Sequence, residues 1–141
     1  MNWKWVFTYA GLFMLMLTLT PAHAEGDAKK GKKVFNKCKA CHMVGEKAKK
    51  RVGPPLNNII GAKAGTQEKF KFSPAMVKAG KDGLVWNDEK LEEYLLKPKA
   101  LVPGTKMAFP GLKKDADRAN VIAYLKEFTK KPEKEPEKKP E

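Results

Sequence analysis

Apolar residues recur at three- and four-residue spacing in three separate parts of the chain, and this period is that of a helix with one buried face. The pattern predicts three helices, over residues 27–38, 88–97 and 116–129. Each one follows side chains that can accept hydrogen bonds from free backbone N–H groups, and these predicted caps are Asp27, Asn87 or Asp88, and Asp115.

The segments between these helices are rich in glycine and proline. Residues 44–86 show neither a sustained helical period nor a long strand pattern, so that only short helical turns are expected there, around 55–61 and 73–80. Residues 99–114 are also expected to be irregular, because two Pro-Gly pairs bracket them. A loop region this long in a small domain needs something to pack against, and a large prosthetic group would serve.

The two ends of the chain differ from the rest. Residues 1–24 have one early lysine, an apolar run and the sequence Ala22-His23-Ala24, which is the layout of a secretory signal peptide with its cleavage site. Cleavage there would start the mature chain at Glu25, outside the cytoplasm, whereas retention would leave a membrane anchor. Residues 131–141 contain only lysine, glutamate and proline and are predicted to be disordered, which leaves 25–130 as the folded domain.

Composition narrows the class of protein. The chain has 141 residues, which is enough for one domain. Its two cysteines exclude a disulfide-stapled scaffold, and its two histidines exclude most multi-histidine metal enzymes. The formal net charge of +13 at pH 7 favours acidic partners, and an exported protein is not expected to bind nucleic acid.

The segment Cys38-Lys39-Ala40-Cys41-His42 has the C-x-x-C-H spacing that attaches a c-type haem. Two thiols three residues apart on one helical turn face the same side, so each can add to one vinyl group, and His42 can then offer a nitrogen to the iron. Other interpretations are weaker. A zinc site needs four ligands where the mature chain offers three, a thioredoxin-like pair needs flanking strands, and a disulfide leaves His42 unexplained.

A second axial ligand from the protein would fill the sixth coordination position of the iron and favour electron transfer, whereas an open position would favour small-molecule binding or catalysis. His23 would leave with the leader, and Met43 is too close to His42 to reach the opposite face of the haem. Met76 and Met107 both remain possible. Spacing favours Met107, which lies in the proline- and glycine-bracketed segment far from His42.

Residues 26–130 resemble the small class I cytochromes c of mitochondria and proteobacteria. The resemblance rests on KGKKVFNKCKACHMV, VGPPLNNIIGAKAG, PGTKM and DRANVIAYLKEF. It implies an all-α, class I cytochrome c fold in which three to five helices wrap around one covalently bound haem c. It also implies that Cys38 and Cys41 carry the thioether bonds, and that His42 and Met107 are the axial ligands of the iron.

The same resemblance implies the surroundings of the haem. Gly31 and Phe35 would pack against Tyr124 and Leu125, and the carbonyl group of Pro54 would accept the other N–H of the His42 ring. Polar-tipped residues would line the pocket, with the indole of Trp86 donating to a propionate; they are Trp86, Tyr94 and Thr105. Two donors of the family's propionate site are replaced here, by Ala62 and Phe72.

The function implied is that of a soluble, monomeric one-electron carrier of the bacterial periplasm. It would connect a quinol–cytochrome c oxidoreductase or periplasmic dehydrogenase with a terminal oxidase or reaction centre. Lysines near the haem edge would steer it to acidic faces of these partners, with anionic membrane contact as a secondary possibility; they are Lys37, Lys39, Lys106, Lys113 and Lys114. The alternatives are a generally solvated basic surface and a peroxidase-like haem enzyme or sensor with a displaceable sixth ligand.

Overall fold

The computed structural model describes residues 25–130, so the predicted signal peptide (1–24) and disordered tail (131–141) lie outside the described residues. Within 25–130 there are five α-helices: α1 (Ala28–Val34), α2 (Pro74–Lys81), α3 (Asp88–Leu96), α4 (Pro98–Leu101) and α5 (Asp115–Lys126). A single 3-10 turn, Phe35–Lys37, continues α1. The same residues contain no strand, only an isolated bridge between Lys63 and Val85, so the all-α prediction is confirmed for this part of the chain.

The first and last helices form the main packing interface of the domain. A Cβ atom added to Gly31 would overlap the carbonyl oxygen of Asn120 and lie 2.8 Å from the Cβ of Tyr124, so glycine permits α1 and α5 to touch along their backbones. Beside this contact the rings of Phe35 and Tyr124 pack with their centroids 5.4 Å apart. These contacts fix the position of Phe35, from which the chain continues into the C-x-x-C-H segment.

The start of α1 is as predicted, because the carboxylate of Asp27 accepts a hydrogen bond from the Lys30 N–H at 3.1 Å. The cap predicted for the last helix is wrong. Asp115 is the first residue of α5, its cap position is held by Lys114 without a side-chain hydrogen bond, and the Asp115 carboxylate instead accepts from Arg118.

The predicted end of the last helix is also too late by three residues. Beyond Lys126 the backbone hydrogen bonds tighten to i→i−3 spacing, from Glu127 to Tyr124, from Phe128 to Leu125 and from Thr129 to Lys126. Such tightening is common in the last turn of a helix.

The segments expected to be irregular hold two helices. The turn predicted around 73–80 is the complete helix α2, in which the Ser73 hydroxyl accepts from the Met76 N–H at 3.1 Å. Residues 55–61 contain turns but no helix. Pro98 opens the short helix α4, because proline fits the first turn of a helix, where no N–H is needed.

The core lies where α1, α3 and α5 meet and extends to α2 and the segment after α4. Its buried apolar residues are Val34, Phe35, Ala64, Met76, Trp86, Leu91, Tyr94, Leu95, Val102, Leu112, Val121, Ile122 and Leu125. Among the helices of residues 25–130, none has the length and apolar character needed to cross a membrane.

Candidate functional site

The cysteine and histidine side chains of the C-x-x-C-H segment come from one tight turn that follows α1. The carbonyl oxygen of Cys38 accepts from the N–H groups of Cys41 at 3.0 Å and of His42 at 2.9 Å. Both cysteines are free thiols, so the structure has no disulfide between them. Burial raises the pKa of the Cys38 thiol to about 11, whereas a thioredoxin-like nucleophile needs a lowered pKa.

The His42 ring is held by a backbone oxygen. Its Nδ1 atom lies 2.7 Å from the carbonyl oxygen of Pro54, where it donates a hydrogen bond. Burial lowers the pKa of His42, although the hydrogen bond to Pro54 opposes this shift, so the imidazole is neutral at pH 7. With the proton on Nδ1, the lone pair of Nε2 is free to bind a metal.

Gly53 explains how the backbone comes so close to this ring. A Cβ atom at this position would overlap the imidazole and would lie 2.8 Å from its Nδ1 atom. The Gly53 N–H also donates to the carbonyl oxygen of Cys41 at 2.9 Å, which closes the loop between the histidine and Pro54. The role of Gly53 was not predicted, because its only signal in the sequence is a glycine directly before two prolines.

The side-chain amide of Asn57 forms a second link across the loop between His42 and Pro54, beyond the link from Gly53 to Cys41. The side chain of Asn57 donates to the carbonyl oxygen of Gly45 at 2.8 Å and accepts from the Gly45 N–H at 2.9 Å. The loop that carries Pro54 is therefore tied to the residues just after His42 at two levels.

The predicted pocket residues Trp86, Tyr94 and Thr105 are neighbours in the structure. The rings of Trp86 and Tyr94 pack with centroids 4.8 Å apart, and the Tyr94 hydroxyl lies 2.9 Å from the Thr105 hydroxyl. Burial raises the pKa of Tyr94, although the hydrogen bond to Thr105 opposes this shift, so the phenol is neutral. Thr105 also accepts from the Met107 N–H at 3.3 Å, which links the pocket to the predicted axial ligand.

The two candidate methionines differ in their surroundings. Met76 lies in α2 with 7% of its surface exposed and belongs to the buried core. Met107 is only partly buried and packs against the edge of that core, in the irregular segment after α4.

Ala62 and Phe72, which are expected to stand where the family has two propionate donors, carry apolar side chains. Both are partly buried against the core, and Phe72 packs edge-on against Phe70 with centroids 4.9 Å apart. Nearby in sequence, Gln67 donates to the carbonyl oxygen of Pro55 at 2.8 Å, while its own Oε1 atom is buried without a hydrogen-bond partner among residues 25–130. A buried acceptor without a partner is unusual in a complete site.

These residues fit a covalently bound haem. Two free thiols leave one turn, and a neutral imidazole keeps its Nε2 lone pair. Partly buried apolar side chains pack against the core of the same domain and offer surface to a large apolar group; they include Val44, Leu56, Ile59, Ile60, Met107 and Phe109. Within the described part of the chain no three His, Cys, Asp or Glu side chains group as metal ligands.

The all-α fold and the C-x-x-C-H turn define a c-type cytochrome. The chain belongs to the cytochrome c family, whose model, described as "Cytochrome c", matches residues 28–129. It is a class I c-type cytochrome of the proteobacterial kind, an electron carrier with a covalently attached haem c. The family, fold and cofactor predictions are thereby confirmed.

Relatives of known sequence and structure agree with this assignment. Cytochrome c2 of Afifella marina is 57% identical over 98 residues, which cover 70% of this chain and 79% of the relative. Cytochrome c2 of Rhodomicrobium vannielii is 53% identical over 104 residues, or 74% of this chain and 81% of the relative. The solved structure of cytochrome c2 from Rhodospirillum centenum matches with a TM-score of 0.72 and 39% identity, covering 74% of this chain and 100% of that one.

Proposed function

We propose that this protein is a soluble periplasmic one-electron carrier and not an enzyme. Its haem c would be attached through Cys38 and Cys41, and His42 and Met107 would be the two axial ligands of the haem iron. When bound, the haem supplies one reversible electron, and two protein ligands leave no open position for a substrate. The observation that carries the proposal is the neutral His42 ring, whose Nδ1 atom is occupied by the hydrogen bond to Pro54, so that Nε2 is the nitrogen left to bind iron.

The choice of Met107 over Met76 rests on where the two side chains lie. Met76 is part of the buried core on α2, and withdrawing it would leave a cavity. Met107 is only partly buried, at the edge of the core, in an irregular segment whose backbone is bonded to Thr105, so its side chain can serve as a ligand without emptying a fully buried position.

The pocket residues hold this arrangement in place. Tyr94 fixes Thr105, which fixes the Met107 backbone, and Trp86 packs against the Tyr94 ring. We assign to Trp86 an indole N–H that donates to a propionate. The sulfur of an axial methionine and an apolar pocket both favour the ferrous state of the iron, so the midpoint potential is expected to be positive.

Basic residues support a role in docking. Lys37, Lys113 and Lys114 line one surface pocket together with the end of the methionine segment, although Lys37 also lies 3.6 Å from Asp117. These lysines, with Lys39 and Lys106, would meet acidic faces of a quinol–cytochrome c oxidoreductase or dehydrogenase on one side and of an oxidase or reaction centre on the other. Charge of this kind accelerates encounter more than it strengthens binding.

The test uses exported holoprotein and two matched variants, Met107→Ala and Met76→Ala. Ferric wild type is expected to show the weak red absorbance band of methionine-bound iron and to bind cyanide slowly. Met107→Ala should lose the band and bind cyanide rapidly while keeping its covalent haem, and Met76→Ala should keep the band but unfold more easily. Rapid cyanide binding by the wild type would instead indicate a peroxidase-like enzyme or sensor.

The same preparation tests the export proposal. The intact mass of the holoprotein should correspond to a chain that begins at Glu25 and carries one haem. A mass that includes residues 1–24 would indicate a retained membrane anchor, and a colourless protein without added mass would contradict haem attachment altogether.

A further inference from the structure

Arg118 is the most deeply buried charged side chain of the described residues, with 7% of its surface exposed. It is one of two arginines in a chain that has 29 basic residues. Its guanidinium donates in three directions: Nε to Glu92 at 2.7 Å, Nη1 to the carbonyl oxygen of Leu112 at 2.7 Å, and Nη2 to Asp115 at 2.5 Å. No pattern in the sequence marks Arg118 as a functional residue, and none of the functions assigned above uses it.

The contact to Leu112 connects Arg118 with the segment that carries Met107. Leu112 is 3% exposed, and its N–H donates to the carbonyl oxygen of Leu95 in α3 at 2.7 Å. Next to it, Gly111 has φ +102° and passes so close to the Leu96 carbonyl group that a Cβ atom would overlap it. Both polar groups of the Leu112 backbone are therefore occupied, one by α3 and the other by Arg118 on α5.

The opposite end of this segment is fastened to the same helix. Thr105 is bonded to Tyr94, which is one residue before Leu95 in α3. Residues 105–112 are thus tied to α3 at both ends: Thr105 is bonded to Tyr94, and Leu112 is bonded to the next residue, Leu95. Met107 lies between these two ties. Arg118 is the clamp on the returning end.

We propose that Arg118 is a positioning residue for Met107: by holding the Leu112 carbonyl group it fixes the length and course of the segment that presents the methionine sulfur. The inference rests on the proposed ligation by Met107. Lysine cannot replace this arginine, because a single ammonium group cannot reach Glu92, Leu112 and Asp115 in three fixed directions.

Glu92 is the partner that sets the guanidinium plane. Its side chain is 21% exposed, whereas the Asp115 side chain is 92% exposed and its ion pair is screened by water. A buried guanidinium without a well-placed carboxylate would be costly, so Glu92 is expected to support the clamp and Asp115 to matter less.

The experiment compares Arg118→Lys with Ile122→Val in ferric holoprotein. Ile122 is 3% exposed and lies one turn further along α5, so its variant removes a buried methyl group but leaves both hydrogen bonds of the Leu112 backbone in place. In Arg118→Lys, imidazole should bind the iron about tenfold more tightly and hydrogen exchange at the Leu112 amide should be about tenfold faster, as expected for one lost charge-assisted hydrogen bond. Ile122→Val should show neither change.

Glu92→Gln is a milder variant that keeps Arg118 in place, and it should shift both measurements in the same direction by a smaller factor. If Arg118→Lys and Glu92→Gln both match Ile122→Val in imidazole affinity and Leu112 exchange, the inference is overturned while ligation by Met107 stands. A wild-type protein without the methionine absorbance band would instead overturn the proposed ligation, and the inference with it.

Discussion

The hydroxyl oxygen of Tyr94 in α3 lies 2.9 Å from the hydroxyl oxygen of Thr105, in the segment before Met107. The Thr105 oxygen also accepts from the Met107 N–H at 3.3 Å, so one hydroxyl connects α3 to the backbone of the proposed ligand. The Tyr94 hydroxyl therefore has a double effect, since it stabilises the fold and restrains the methionine.

Tyr94→Phe is expected to lower the free energy of unfolding by about 1 kcal/mol, because one side-chain hydrogen bond is lost without a large change of volume. It should also increase the affinity of ferric iron for imidazole, since the segment from Thr105 to Met107 loses its tie to α3. Tyr124→Phe is the control, because Tyr124 packs between Phe35 and Phe128 and its hydroxyl has no hydrogen bond within residues 25–130. Equal imidazole affinities in the two variants would contradict a special role for Tyr94.

Gly53→Ala is expected to disturb the proximal side of the haem. The added methyl group would overlap the His42 ring and displace it from the Pro54 carbonyl group, so the ring would lose its fixed orientation. The yield of haem-loaded protein should fall, and the midpoint potential of the remainder should shift from that of wild type. Both quantities can be measured on protein exported under identical conditions.

Gly61→Ala provides the comparison for this variant. Gly61 has φ +82° and nothing within 4 Å of its added methyl group, so alanine there introduces backbone strain but no collision. If both glycine variants reduce haem loading equally, the effect arises from general destabilisation and the contact with His42 is not responsible.

Gly31→Ala tests the close contact of α1 with α5. Alanine would gain roughly 1 kcal/mol of helix propensity, but its methyl group would collide with the Asn120 carbonyl group, an overpacking that costs about 1–3 kcal/mol. The net result is expected to be a lower unfolding midpoint in denaturant. Lys32→Ala, at an exposed position one residue further along α1, should leave the unfolding midpoint nearly unchanged. A similar decrease of the midpoint in both variants would contradict the explanation by backbone contact.

Charge steering predicts that the rate of electron transfer to an acidic redox partner falls as ionic strength rises past about 0.1 M, where the screening length is roughly 10 Å. Lys114→Glu should slow this transfer at low salt far more than Lys126→Glu does. The two lysines stand at opposite ends of α5, roughly 18 Å apart for a helix of this length, and carry the same charge change. A flat salt profile, or equal effects of both reversals, would refute docking through the Lys37, Lys113 and Lys114 surface.

Local features of the chain were predictable because they depend on neighbours in sequence. Asp27 caps α1 as expected, and the second predicted helix, 88–97, matches α3 to within one residue. Asp115 was misassigned because a carboxylate at a helix start can serve either as a cap or as an ion-pair partner. The presence of Arg118 on the next turn decided for the ion pair.

The sequence by itself determined the haem attachment chemistry, because the thiols of Cys38 and Cys41 and the imidazole of His42 are brought together within one turn of backbone. Only the tertiary structure decided how the Met107 segment is held. Tyr94 and Leu95 hold this segment from α3, which precedes it in the chain, and Arg118 holds it from α5, which follows it. Hydrogen bonds of this kind depend on how helices pack, and helix packing cannot be deduced from the period of one segment alone.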